Sequence, residues 1–166
     1  TYANELNVVG AVAGASPVDG VATINKNDGG IGSSLFVYVI SSYDTSYPEL
    51  GLHGKLSAAG VPWVDNHVGY CSVTNATNLS LAYDTWGHLW KTGQNPLNDP
   101  AVIARIQRNN PPTTTPTVPL WLFHGTGDEI VPYDNDLAYA RQLKAAGGQV
   151  NWDSVPGGWH LAFTND

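Results

Sequence analysis

Cysteine is almost missing from this sequence: Cys71 stands alone, so no disulfide can close within the chain. Two readings of it stay open, a small buried hydrophobe or half of a bridge to a cysteine outside these residues. No histidine lies near it in a matching frame, which argues against a thiol nucleophile. Basic residues are scarce as well, with 7 Lys and Arg against 14 Asp and Glu for a net charge of -7. Nucleic acid is thereby excluded as a partner, because phosphate binding needs clustered cations. Arg105 and Arg108 share one helical turn and the other cations are scattered. No apolar run approaches the roughly 18 residues of a membrane-spanning helix. His53, His67 and His88 show no metal-ligand spacing, so neither a metal nor an organic cofactor is expected.

What is present is ample apolar material: 42% of the residues are hydrophobic and only 13% charged. Such a chain can offset its ordering entropy by burial and folds as a globular protein. Thr1 at the start, without a basic or signal-like leader, and an ending within Leu161–Asp166 suggest that both termini are cut. Asn75-Ala76-Thr77 and Asn78-Leu79-Ser80 are formal glycosylation sequons.

Leu6–Gly14 is apolar on both faces and stops at Ser16-Pro17, which predicts a buried strand of a parallel sheet covered on both sides. Residues 18–110 read as helical, aromatic and interrupted. Asp28-Gly29-Gly30 is a turn or helix lead-in, and Ser33–Ser41 reads as an apolar helix or a buried strand, with the lack of period-2 alternation favouring helix. Another helix begins at Pro48, has Gly51–Ala59 as its body and stops at Gly60. Leu79, Tyr83, Trp86 and Trp90 recur at helical spacing, the two tryptophans as packing residues. Asp99-Pro100 opens a helix running to about Arg108, with Asp99 as its cap.

After a linker rich in Asn, Pro and Thr, Leu120–Phe123 reads as a strand. Asn135–Ala146 reads as a helix with Leu137, Ala140, Leu143 and Ala146 inward and Arg141 and Lys144 outward. Val150–Val155 alternates as a third strand. The order strand, helix, strand predicts a βαβ unit of a parallel sheet.

Chemistry in such sheets collects in the loops after the strands. Asp128 follows one strand and His160 the next, 32 residues later. A carboxylate beside a histidine fixes the ring tautomer and stabilises the imidazolium formed when the ring takes a proton. Asp before His also matches the hydrolase order of nucleophile, acid, base. Asp128 as a helix cap and His160 as a solvated loop residue are the plainer readings. His124 reads as structural or site-lining.

His124-Gly-x-x-Asp128-Glu-Ile-Val-Pro132-Tyr133, then a helix, a strand and Gly158-Trp159-His160-Leu161, resembles the end of an α/β-hydrolase. With Glu5–Pro17 joined to a long helical insert, the chain more narrowly resembles the secretory lipase family of fungi and actinobacteria. The resemblance implies an α/β fold: the carboxyl-terminal part of an α/β-hydrolase, its last three parallel strands with helices, plus a helical lid insertion. Residues 1–17 and 111–166 would form the partial core and 18–110 the lid over an acyl-binding tunnel. Asp128 matches the triad acid and His160 the triad base; Glu129 belongs to the motif without an implied catalytic role. Gly69-Tyr70-Cys71 resembles a position whose cysteine pairs with one near the start of the core.

Gly-x-Ser-x-Gly occurs nowhere, and Gly14-Ala15-Ser16-Pro17-Val18 lacks the second glycine. The expectation is therefore a secreted carboxylic ester hydrolase, a triacylglycerol lipase or esterase, whose serine and oxyanion donors lie outside this chain. Its partners would be an ester or acylglycerol, a lipid–water interface and the missing amino-terminal half of the same enzyme; the chain alone would be inactive. A peptidase or acyltransferase of the same fold, and a non-catalytic binding module, are the alternatives.

Overall fold

A computed structural model describes residues 5–71 and 83–160. The chain divides into two compact units, one formed by Thr1–Asp19 and Asn110–Asp166, the other by Gly20–Asn109.

The first unit is built on a parallel sheet, β1 (Ala11–Gly14), β2 (Leu120–Gly125) and β3 (Val150–Val155), in that spatial order. Its helix, numbered α6 in chain order (Tyr133–Ala145), connects β2 to β3. Ala140 and Leu143 of α6 pack with Leu122 and Val150, and Ala13, Leu120 and Trp152 flank them. The inward stripe of α6 is Asp136, Ala140 and Leu143. Ala146, expected inside, is exposed, because the helix ends at Ala145 and the chain turns away through Gly147 at φ 92°.

One expectation needs correction here. The first strand is only four residues long, and Leu6, Val8 and Val9 are exposed. Its ladder begins where Ala11 donates to the Pro119 carbonyl. Upstream of Leu120 the neighbouring segment carries Pro116 and Pro119, which have no N–H to offer. Among the described residues the sheet is covered on one face. Val12 and Trp121, paired across β1 and β2, are 66% and 49% exposed on the other face. The Trp121 indole donates to Asp153 on β3 at 2.7 Å.

The second unit contains α1 (Gly20–Asn27), α2 (Phe36–Ser46), α3 (Leu52–Lys55), α4 (Gly60–Asp65) and α5 (Pro100–Asn109), joined by short 3-10 turns. Its core gathers Phe36, Val37, Ile40, Leu56, Trp86, Leu89, Trp90 and Ile106 with others. Trp86 meets Phe36 edge-on and Trp90 at a tilt, each at 5.0 Å between centroids. Each side chain as fully buried as Val37 or Leu89 stabilises by about 1.5–3 kcal/mol. Asp99 accepts from the Ala101 N–H at 2.9 Å, the cap expected for α5.

Four expectations fail in this unit, the first being the helix body Gly51–Ala59, which shortens to Leu52–Lys55 because Leu56 is extended at ψ 141°. Gly60 begins α4 instead of stopping a helix, since the Ser57 hydroxyl accepts its N–H and a Cβ there would lie 2.1 Å from the Leu89 carbonyl oxygen. The predicted helix through Tyr83, Trp86 and Trp90 reduces to a 3-10 turn, Trp86–Leu89. Tyr83 sits at φ 63°, outside helical geometry, with its N–H held by the Gly30 carbonyl. Leu79 and both sequons lie outside the described residues. Cys71 is exposed, contrary to the buried-hydrophobe reading.

Candidate active site

The inward face of β2 carries Leu122 and then His124, so the sheet's alternation delivers an imidazole into the interior of the first unit. Gly125 follows, packed so closely on Gly158 of the neighbouring loop that a Cβ would lie 2.1 Å from the Gly158 carbonyl oxygen. The loops after β2 and β3 are then tied together. Gly127 donates to the Gly158 carbonyl at 3.0 Å and Gly157 to the Thr126 hydroxyl at 2.9 Å. The His160 N–H donates to Glu129 at 3.1 Å, so Glu129 holds the backbone of the base loop.

This brings Asp128 and His160 together: Nδ1 of His160 lies 2.9 Å from Oδ2 of Asp128. The Asp128 side chain is fully buried and that of His160 is 28% exposed. Oδ1 of Asp128 accepts from the N–H groups of Ile130 at 2.8 Å and Val131 at 2.7 Å. Oδ2 accepts a second ring, Nε2 of His124, at 3.0 Å. Burial works against ionisation of Asp128. The donors of Val131, His160 and Ile130 overcome it, holding the carboxyl below its ordinary value. A carboxylate has no proton to give, so His160 donates through Nδ1, and its Nε2 is the atom with basic capacity.

Asp136, in the first turn of α6, carries no obvious sequence signal and approaches the same cluster. Its Oδ2 accepts the Ser16 N–H at 2.9 Å and lies 2.9 Å from Nδ1 of His124, an ion-pair contact too bent for a hydrogen bond. Burial pulls the His124 ring down; its contact with Asp136 and the charges of Asp136 and Asp128 override that and raise it above the ordinary histidine value. Tyr133 and Trp152 wall the ring at centroid distances of 5.6 and 6.5 Å.

The remaining histidines stand apart from one another in the second unit. His53 pairs with Asp65 at 2.8 Å, His88 with Asp84 at 2.9 Å, and His67 with the Trp63 carbonyl at 2.8 Å. Among the described residues no group of three or more His, Cys, Asp and Glu is placed to hold a metal ion.

The family model described as "Secretory lipase" matches residues 1–164.

The chain belongs to the secretory lipase family.

Secreted triacylglycerol lipase LIP1 of Malassezia furfur is 29% identical over 161 residues, covering 92% of this chain and 32% of the relative. Lipase A of Moesziomyces aphidis is 25% identical, covering 97% and 37% respectively. The X-ray structure of Candida antarctica lipase A matches with a TM-score of 0.81 at 25% identity, over 97% of this chain and 39% of that one. The three parallel strands with their helix are thus part of an α/β-hydrolase fold, as expected. This secretory lipase chain spans about a third of the length of the curated relatives it matches.

Proposed function

We propose that this chain supplies the acid and the base of a secreted serine ester hydrolase acting on acylglycerols or related carboxylic esters. The observation that carries the reading is the 2.9 Å contact between His160 Nδ1 and a buried, ionised Asp128. A serine outside these residues attacks the ester carbonyl while Nε2 of His160 takes its proton. Asp128 stabilises the imidazolium, which then protonates the departing alcohol; water repeats the sequence to release the acid. Neither metal nor organic cofactor enters this scheme.

The relatives' names, among them secreted triacylglycerol lipases, support the substrate class and an extracellular site of action. The helical unit, Gly20–Asn109, serves as a lid that selects acyl chains at a lipid–water interface. The rest of the enzyme, bearing the nucleophile and oxyanion donors, is the chain's structural partner.

The test compares the complete enzyme on p-nitrophenyl esters of graded chain length and on peptide anilides. Ester turnover lost in Asp128→Asn and His160→Ala supports the proposal, and preference for anilides moves the activity to peptidases. These residues alone should hydrolyse no ester above a histidine background. A rate near that of intact lipases, abolished by a single Ser→Ala change within them, refutes the divided triad.

A further inference from the structure

Behind the acid lies a second histidine that the proposed reaction does not use. His124 is completely buried, lies within 3.0 Å of one carboxylate oxygen on each side, and shares Oδ2 of Asp128 with His160. The titratable groups against it are Asp128 from the loop and Asp136 and Tyr133 from α6; Trp152 of β3 completes the wall. The cavity beside Asp136, lined by Ala13, Ser16, Leu122, Tyr139 and Trp152 among others, measures about 10 Å³. It has no room for a ligand larger than a water molecule, so the cluster is not a binding pocket.

Charge decides what the ring must be. Asp128 and Asp136 side chains are 0% and 6% exposed, and two anions this far from water are costly without a cation between them. Oδ2 of Asp136 accepts the Ser16 N–H, the role of an ionised carboxylate oxygen. A protonated His124 hydrogen-bonds Asp128 through Nε2 and meets Asp136 as an ion pair at Nδ1.

We propose that His124 is a positioning residue, a buried imidazolium clamped between Asp136 and Asp128 that fixes the Asp128 carboxylate for His160. Asp136 is its counter-ion, anchored in turn by the Ser16 N–H beyond the end of β1. The row His160, Asp128, His124, Asp136 carries one net negative charge while His160 is neutral, and none once His160 takes the proton. The row therefore favours the charged intermediate without burying two uncompensated anions.

The kinetic part of this inference rests on the proposed hydrolase; the charge state of His124 does not. The experiment is nuclear magnetic resonance of histidine-labelled (15N) enzyme, with the His124 ring assigned through its contacts to Tyr133 and Trp152. Both ring nitrogens should carry protons at about pH 7–8, where an unperturbed histidine is neutral. In Asp136→Asn the ring should lose one of them at the same pH. A neutral ring in the wild type, or one still doubly protonated in Asp136→Asn, overturns the proposal. In parallel, His124→Gln should lower ester kcat at least about tenfold with KM unchanged in enzyme that is folded at the assay temperature, a split that mere space-filling would not produce; its melting temperature should fall, because two buried carboxylates lose the cation between them. Unchanged kcat in a folded His124→Gln enzyme removes the positioning role. If Asp128→Asn and His160→Ala retain full activity, the hydrolase reading falls while the resonance result still stands.

Discussion

Gly125 and Gly158 meet backbone to backbone: a methyl group on Gly125 would lie 2.1 Å from the Gly158 carbonyl oxygen. This contact sets how closely the acid loop approaches the base loop. Gly125→Ala must push the loops apart, because the obstacle is main chain and not a rotatable side chain. The expected loss is at least the 1–3 kcal/mol, roughly, of an overpacked interior. Thermal unfolding should show it as a drop of several degrees, together with loss of ester turnover. A melting temperature within error of the wild type would mean that the loops tolerate separation.

Asp128→Asn tests the electrostatic role apart from the shape. The amide oxygen can keep the N–H groups of Ile130 and Val131, but an amide nitrogen facing Nδ1 of His160 turns that ring to the wrong tautomer. Turnover on a soluble ester should fall by about 10⁴-fold, as in other triads that lose the acid, with KM little changed. A loss below about tenfold would assign Asp128 to loop capping instead.

Stability should depend on pH from two directions. Asp128 is lowered on folding, so its contribution is complete above the unfolded carboxylate value of about 3.9 and disappears as pH falls through the folded one. His124 is raised, so its contribution is complete below the unfolded histidine value of about 6.5 and disappears as pH rises through the folded one. Melting temperature should therefore decline at both ends, and His124→Gln should flatten the alkaline decline selectively. An alkaline limb identical in the variant would contradict the assignment.

The uncovered sheet face predicts association. Val12 on the edge strand β1 is 66% exposed beside Trp121, and Val9, just before that strand, is 77% exposed. These residues expressed alone should self-associate, and Val9→Lys with Val12→Lys should raise the monomer fraction in sedimentation velocity. A monodisperse wild-type monomer that unfolds cooperatively would show that the face needs no cover.

The sequence was most informative where local chemistry and tertiary context agree. Asp99-Pro100 caps α5, Val150–Val155 alternates and pairs, and Asp128 and His160 end adjacent parallel strands. It misled where one distant partner decides the backbone. Gly60 suggests a helix stop until Ser57 takes its N–H and the Leu89 carbonyl leaves no space for a side chain. The spacing of Tyr83, Trp86 and Trp90 imitates a helix, yet the tryptophans reach the core from a single turn. The site was half legible. His124 shares the inward parity of Leu122 on β2, and a polar group there needs a partner; that alternation was the available signal. Asp136 in the first turn of α6 passes for an ordinary complement to the helix dipole, and only the fold aims it at a buried ring.

Among the described residues, every side chain of the acid–base cluster falls between His124 and His160, and the main-chain N–H of Ser16 ties in from outside that stretch. In chimaeras between related enzymes, a crossover placed in the linker before Leu120 would transfer the four residues as one inherited block. A crossover between Asp136 and His160 would divide them between parents and require two histories of compensation to match.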